Sequence, residues 1–98
     1  MDLIGKYVIV RDDRAGVHGG VLAAFDGPHK CATLTGARKI WYWSGAAATH
    51  GIAARGINHA NSKVCPEVER VELCDVVEVI ACSPDGEQSV RTCPEWRT

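Results

Sequence analysis

The residue pattern changes at Ser44, and this change restricts the fold more than any other feature of the sequence. Before Ser44, short segments of alternating apolar residues are separated by glycine-containing stretches, and after it comes an alanine-rich stretch. Alternation with a period of two is typical of strands, whereas the alanine-rich stretch favours a helix. The chain is therefore expected to combine antiparallel strands with a helix.

The first 43 residues predict four short strands joined as a meander. The segment "GKYVIVRDD" predicts a first strand, and the glycines of "RAGVHGGVLAAF" predict a turn before a second strand, Val21 to Phe25. "DGPHK" suits a hairpin loop, because Asp-Gly tolerates the backbone of a tight turn. "CATL" and "ARKIWYW" predict a third and a fourth strand with a turn at "TG". Such a meander can curl into a small barrel.

The second half predicts helices on either side of a valine-rich segment. Ser44 can act as the N-cap of a helix from about Gly45 to Arg55, with Gly56 as its C-terminal cap. "VERVELCDVVEVIAC" predicts one bent strand or two short ones. "SPDGEQSV" places a serine before a proline, which is typical of the start of a short helix.

These elements predict an α+β fold in one domain spanning residues 1–98. The expected architecture is a small antiparallel β-sheet or an SH3-like partial barrel, with one central helix and a short C-terminal helix. A chain of 98 residues buries only about 60 to 65% of its unfolded surface. Because further burial would help so small a core, we expect a homo-oligomer.

Charge and hydropathy exclude several classes of protein. The net charge is −1, so no uniform basic field exists for binding duplex nucleic acid. No apolar run approaches the roughly 18 residues that a membrane span needs, and "MDLIGKYVIV" carries charges within the stretch that a signal peptide would keep apolar. We therefore expect a cytoplasmic protein that binds neither a membrane nor duplex nucleic acid.

The cysteines and histidines carry no spacing typical of catalysis or metal binding. The five cysteines contain no Cys-x-x-Cys pair, and the four histidines are scattered along the chain. Free cysteine usually behaves as a small buried hydrophobe, although a metal or disulfide role is the alternative. We predict no enzyme, no metal site and no cofactor.

The segment "ARKIWYW" is the strongest candidate for a binding strand. Alternation on a strand would place Lys39, Trp41 and Trp43 on one side and Arg38, Ile40 and Tyr42 on the other. Either side could face the core, so the two tryptophans are expected to be core fillers or surface groups. An indole beside a cation suits a nucleotide or another planar anion, and the same combination suits a protein interface.

A second candidate cluster lies in "RDDRAGVHGG". Arg14 precedes the glycines that predict a turn, and this turn would present His18. Consecutive backbone amides in such a turn can hold an anion, although the glycines match neither a Walker loop nor a dinucleotide-binding motif. The alternative is a charged hairpin loop whose glycines only satisfy the geometry of the turn.

Several of these segments together resemble a family of small uncharacterised bacteriophage and prophage proteins. The resemblance rests on "AGVHGGVL", "ARKIWYWSGA" and a closing "PEW", and it spans nearly the whole chain. The family pattern has Ala-Gly-Val-x-x-Gly-x-Leu and Ala-Arg-Arg-(Ile/Leu)-Trp-Tyr-Trp-x-Gly-Ala. Lys39 stands here in place of the second arginine, which removes a planar fork from that position.

The resemblance implies an accessory phage protein that counters host defence in an infected or lysogenic bacterial host. Our leading hypothesis is a binding protein that sequesters a nucleotide-type signalling molecule. The alternatives are a protein-protein interaction module that inhibits a host defence protein, and a structural phage component. The candidate ligand-binding residues are Arg14, His18, Arg38, Lys39, Trp41 and Trp43.

Overall fold

The computed structural model describes residues 2–97, which form one antiparallel sheet of six strands with two helices. The fold is therefore α+β. The strands are β1 (Tyr7–Asp12), β2 (Gly16–Asp26), β3 (Cys31–Tyr42), β4 (Lys63–Val64), β5 (Val68–Leu73) and β6 (Val76–Ala81). The helices are α1 (Ala48–Arg55) and α2 (Pro84–Thr92), and a single turn of 3₁₀ helix spans His59–Asn61.

The sheet is open, but two strands from different parts of it, β5 and β6, are joined by a short link. The strand order is β4-β3-β2-β1-β6, and β5 pairs with the first half of β3 while β4 pairs with its end. Only Cys74 and Asp75 separate β5 from β6, although these two strands lie beside β3 and β1 respectively. The sheet must therefore curl until the strands beside β1 and β3 come close enough for this link to join them. It does not close into a barrel.

Alternation along the strands divides the core between the two faces of the sheet. On β1, Tyr7 and Ile9 face a cluster that includes Ile52 of α1 and Val90 of α2. Val8 and the other alternate residues of β1 face a second cluster, built from β2, β3, β5 and β6. Both helices therefore cover one face, while the curled sheet covers the other.

The predicted turn at the glycines of "RAGVHGGVLAAF" is wrong, because β2 begins at Gly16 and runs through them. The chain instead turns at residues 13–15. Gly19 is needed for packing rather than for a turn: a Cβ there would lie 3.0 Å from both the Tyr7 hydroxyl and a methyl group of Val90. The anion-holding turn expected around His18 is therefore absent, since these residues are paired in the ladder with β1 and β3.

The predicted third and fourth strands are one strand, β3. The register against β2 shifts between the Gly19–Arg38 and Val21–Thr35 pairs, and Gly36 lies there with φ of 54°. A glycine with positive φ is typical of a β-bulge, which bends a strand without ending it. The "TG" dipeptide therefore marks a bulge, and the meander has three strands rather than four.

The helix ends follow two of the three predicted caps. Gly56 has φ of 90°, and its N–H donates to the Ile52 carbonyl at 2.9 Å, as expected for a C-terminal cap. Ser83 accepts a bond from the Gly86 N–H at 3.0 Å and precedes the proline, which confirms the start of α2. The start of α1 differs: Gly45 has φ of 82°, which is not helical, and the helix begins only at Ala48.

Candidate functional site

The aromatic run ends β3 in a second bulge, which determines where its side chains point. Ile40 pairs with Val64 and Tyr42 pairs with Lys63, so Trp41 is an extra residue opposite β4. A bulge interrupts strict alternation and re-aims the side chains that follow it. Trp41 and Tyr42 are consequently both exposed, at 54% and 53%, although alternation predicted opposite faces.

Trp41 stacks on the indole of Trp96. The ring centroids are 4.9 Å apart and the planes differ by 10°. The ammonium of Lys63 lies 5.1 Å from the Trp41 centroid and 5.2 Å from the Trp96 centroid, within the range of a cation-π interaction. We call these three side chains the aromatic shelf.

Backbone pairing of β4 with β3 and with the C-terminal segment holds the aromatic shelf in place. Lys63 opens β4, which pairs with the end of β3. The C-terminal segment runs parallel to β4 through a bridge between Val64 and Glu95, and the Trp96 N–H donates to the Val64 carbonyl at 2.8 Å. Backbone pairing therefore brings together side chains from three distant segments of the chain.

A cleft with a volume of about 550 Å³ adjoins the aromatic shelf. Its lining includes Tyr42, Ser44, Asn61, Ser62, Lys63 and Trp96. Hydroxyl and amide groups can bind the polar edge of a ligand, while the ammonium can bind an anionic group. The cleft and the shelf together offer a flat apolar surface beside hydrogen-bonding groups and one positive charge.

Arg38 faces the interior and has a structural role. It is only 4% exposed. Its Nη1 donates to the carbonyls of Val90 and Cys93 at 2.8 and 2.7 Å, and its Nε donates to the Cys65 carbonyl at 2.9 Å. A cation at the C-terminal end of a helix satisfies carbonyls that lack a partner within the helix. Because these bonds occupy the guanidinium, we leave Arg38 out of the ligand set.

His18 and Lys39 are brought together, and neither lines the cleft beside the aromatic shelf. They are directly opposite each other on β2 and β3. His18 is 6% exposed, and within residues 2–97 its Nδ1 has no hydrogen-bond partner. Burial, and to a lesser extent the Lys39 ammonium, lowers the pKa of His18 below its usual range. His18 is therefore a buried, neutral side chain at neutral pH, while Lys39 is half-buried.

Arg14 lies in the turn between β1 and β2, where a carboxylate organises the backbone. The Asp12 carboxylate accepts bonds from the N–H groups of Arg14, Ala15 and Asp75 at 2.8 to 2.9 Å. The Arg14 guanidinium is 90% exposed and lies 3.4 Å from the Asp75 carboxylate. A cleft of about 400 Å³ opens here, and it shares no residue with the cleft at the shelf.

Trp43 lies beyond the end of β3 and is separate from Trp41. It is half-buried against the core cluster beneath the helices, and it lines a cleft of about 510 Å³ with Arg11, His50 and Glu78. A hydrogen bond from Thr49, followed by the charges of Arg11 and His50, outweighs burial and lowers the pKa of Glu78. The lowered pKa makes this carboxylate a weak base, and Thr49, Arg11 and His50 already contact it, so it is poorly suited to act as a general base.

The six candidate ligand-binding residues predicted from the sequence therefore lie in several places and do not form one site. Trp41 is the member at the aromatic shelf, and its partners there, Lys63 and Trp96, were missed by sequence reasoning. The isolated tryptophan of the tail was a signal for Trp96, whereas nothing in the local sequence marks Lys63. Within residues 2–97, no three histidine, cysteine or carboxylate side chains could together hold a metal ion. Neither helix described is long and apolar enough to cross a membrane.

Comparison with known proteins identifies a family. The sequence model described as "Domain of unknown function (DUF6948)" matches residues 5–90. The chain belongs to this family. The DUF6948 match includes Trp41 and Lys63 and ends before Trp96. No curated protein and no solved structure matches the chain.

Proposed function

We propose that this DUF6948 protein is a binding protein without catalytic activity, and that it takes a nucleotide-type ligand at the aromatic shelf. The observation that carries the proposal is the exposed, stacked pair of Trp41 and Trp96 with the Lys63 ammonium beside both rings. Any nucleobase can stack on an indole, and a lysine offers a point charge to the phosphate of the nucleotide. The two parts of a nucleotide therefore each have a matching group.

The neighbouring cleft supports the same ligand class. Asn61, Ser62 and Tyr42 line it beside Lys63, and Tyr42 is 53% exposed. Amide and hydroxyl groups can bind the sugar or the base edge, while the ammonium binds the phosphate. A flat apolar surface with polar groups at one border is the usual composition of a small-molecule site.

The wider role we propose is sequestration of a nucleotide-type signal by an accessory bacteriophage protein in the host cytoplasm. This role rests on the resemblance of "ARKIWYWSGA" and "AGVHGGVL" to phage sequences, together with the shelf. Sequestration needs tight binding and no chemistry, which suits a site built from indoles and one cation. Self-association would add burial to a small core, so we include a homo-oligomer in the proposal.

A second candidate is a protein-docking surface that inhibits a host defence protein. The adjacent exposed rings of Trp41 and Tyr42 favour it, because tryptophan and tyrosine are common anchors of protein interfaces. It would use the same shelf without the polar cleft. A nucleotide panel separates the two candidates, since a docking surface has no reason to bind a free nucleotide.

The test is a thermal-shift screen of the protein against cyclic and linear nucleotides. A ligand present at about 100 times its Kd stabilises the folded state by about 2.7 kcal/mol, which raises Tm by roughly 10 to 20 °C in a domain of this size. Calorimetry would then measure Kd for the best nucleotide. We expect Trp41→Ala to weaken binding by about 5- to 150-fold through lost stacking, and Lys63→Gln to weaken binding of phosphorylated ligands more than that of nucleosides.

The control is Lys6→Gln, which removes an exposed lysine outside the site and should leave Kd unchanged. Arg38→Ala is unsuitable, because loss of its buried bonds would disturb the fold. If no nucleotide raises Tm, or if Trp41→Ala binds as tightly as the wild type, the nucleotide proposal fails. A partner captured by the wild type and lost with Trp41→Ala would then support the docking candidate.

A further inference from the structure

We propose that Cys31 and Cys74 form a reversible disulfide, so that the start of β3 and the link between β5 and β6 make a thiol oxidation site. The proposal is independent of the proposed function, because Cys31 and the aromatic shelf lie at opposite ends of the twelve-residue β3. It rests on the register of the strands, the surface position of both thiols and a cleft that they share.

The strand register ends one residue short of the two cysteines. Ala32 pairs with Leu73, and both are buried in the core of the curled sheet. Cys31 precedes Ala32 in β3, and Cys74 is the first residue after β5. Extending the register by one residue sets them opposite each other, with side chains on the other face, away from the core. The Val76 N–H donates to the Lys30 carbonyl at 3.0 Å, so backbone contacts fix the chain on both sides of the cysteines.

Opposed residues on antiparallel strands have the separation that a disulfide needs. Their Cα atoms lie about 4.5 or 5.5 Å apart, depending on the hydrogen-bonding position. Disulfides form at Cα separations of about 4.4 to 6.8 Å, so either position suits the bond. The neighbouring Cys74 thiol is also the largest cause that raises the pKa of Cys31, to about 11, as expected for two adjacent thiols.

Access distinguishes Cys74 from the other cysteines. Cys74 is exposed and Cys31 is half-buried, and both line a cleft of about 360 Å³. Cys93 is buried, and burial raises the pKa of Cys82 to about 12, which suppresses the reactive thiolate. A small disulfide in solution therefore reaches Cys74 first.

The proposed oxidant is a low-molecular-weight disulfide such as oxidised glutathione. The Cys74 thiolate attacks one glutathione sulfur, which forms a mixed disulfide and releases one glutathione thiolate. Cys31 then loses its proton to solvent and attacks the Cys74 sulfur, which releases the second glutathione as a thiolate. Both protein thiols are oxidised by two electrons in total, and one oxidised glutathione is reduced to two molecules of glutathione.

The experiment exposes the full chain to oxidised glutathione and counts thiols after denaturation. We expect two of the five thiols to be lost, a peptide map that joins Cys31 to Cys74, and full reversal by dithiothreitol. Because the bond would close a long loop of the unfolded chain and stabilise the fold by about 2 to 4 kcal/mol, we also expect Tm of the oxidised protein to rise by roughly 10 to 30 °C.

Serine variants make the result specific. Cys31→Ser should stop at a persistent glutathione adduct on Cys74, and Cys74→Ser should show neither the disulfide nor the rise in Tm. Cys65→Ser, a half-buried thiol outside the pair, should behave as the wild type. Retention of all five thiols, a bond to any other cysteine, or a bond only between two chains would overturn the proposal. Trp41→Ala should not affect oxidation, so failure here is distinguishable from failure of nucleotide binding.

Discussion

Arg38 connects β3 to the end of α2 through a buried guanidinium whose acceptors are backbone carbonyls. We expect Arg38→Met to lower the free energy of unfolding by about 3 to 5 kcal/mol, because each buried carbonyl left without a donor costs about 1 to 3 kcal/mol. Urea denaturation would measure the loss. Arg70→Met is the matched control, since Arg70 makes only an exposed ion pair with Glu72 and its removal should cost under about 1 kcal/mol. Equal losses in both variants would contradict the role of Arg38.

Asp12 stabilises the turn after β1 and the link before β6 with one carboxylate. Burial opposes its ionisation, but the bonds from Ala15, Arg14 and Asp75 outweigh burial and lower the pKa of Asp12. The carboxylate therefore contributes stability above about pH 4, the usual range for aspartate, and this contribution is lost as the pH falls through the lower folded pKa.

We expect Asp12→Asn to cost about 1 to 3 kcal/mol at pH 7, because its amide cannot accept all three bonds. Urea midpoints at pH 7 and pH 3 would show a smaller loss of stability at the acid pH (the acid loss) in the variant than in the wild type. Asp13→Asn, at an exposed neighbour, is the control. An unchanged acid loss in Asp12→Asn would contradict the assignment.

His18 makes the free energy of unfolding depend on pH in a range closer to neutrality than that of Asp12. Its pKa is lowered in the folded state, first by burial and then by Lys39, so the unfolded chain binds the proton first as the pH falls below about 6.5. Stability is full above that pH and should fall by up to about 1.4 kcal/mol per pH unit below it.

Urea midpoints at pH 8 and pH 5.5 would test the role of His18. His18→Leu should flatten the difference between them. If His18→Leu retains the full difference, another group is responsible.

The two helices cross at Gly86, where no side chain fits. A Cβ on Gly86 would lie 2.1 Å from the Ala53 carbonyl oxygen of α1, closer than any real contact. We expect Gly86→Ala to lower the free energy of unfolding by at least about 2 kcal/mol, although alanine is the better helix former by about 1 kcal/mol. Thermal unfolding would measure it, with exposed Gln88→Ala as a control of unchanged or slightly higher Tm. A rise in Tm for Gly86→Ala would show that the helices can separate there.

Which elements could be predicted from the sequence depends on how local their causes are. The start of α2 and the end of α1 were predictable, because Ser83 and Gly56 act on residues within one helical turn. The extent of β2 and β3 could not be predicted from the sequence. Gly19 and Gly36 lie within strands because of contacts with residues far away in the sequence. Local rules assign such glycines to turns, and only the packing of Tyr7 and the register of β2 decide otherwise.

At the scale of the molecule, the candidate site is assembled from segments that the sequence keeps far apart. Trp41 could be identified as a candidate because three aromatic residues are adjacent. Lys63 and Trp96 join it only through the pairing of β4 with β3 and of the C-terminal segment with β4. The bulge at Trp41 also depends on that pairing. Alternation therefore predicted correctly that Arg38 and Ile40 share a face, but it could not predict that Trp41 and Tyr42 are both exposed.

The two-residue link between β5 and β6 has a consequence for the order in which the chain assembles. β1, β2 and β3 are joined by short turns and can pair as each is made, whereas β5 and β6 find their neighbours only once those three strands are in place. Contacts between residues far apart in sequence form late, because the loop between them must first be closed. The link at Cys74 and Asp75 is therefore expected to be the last part of the sheet to form and the first to open.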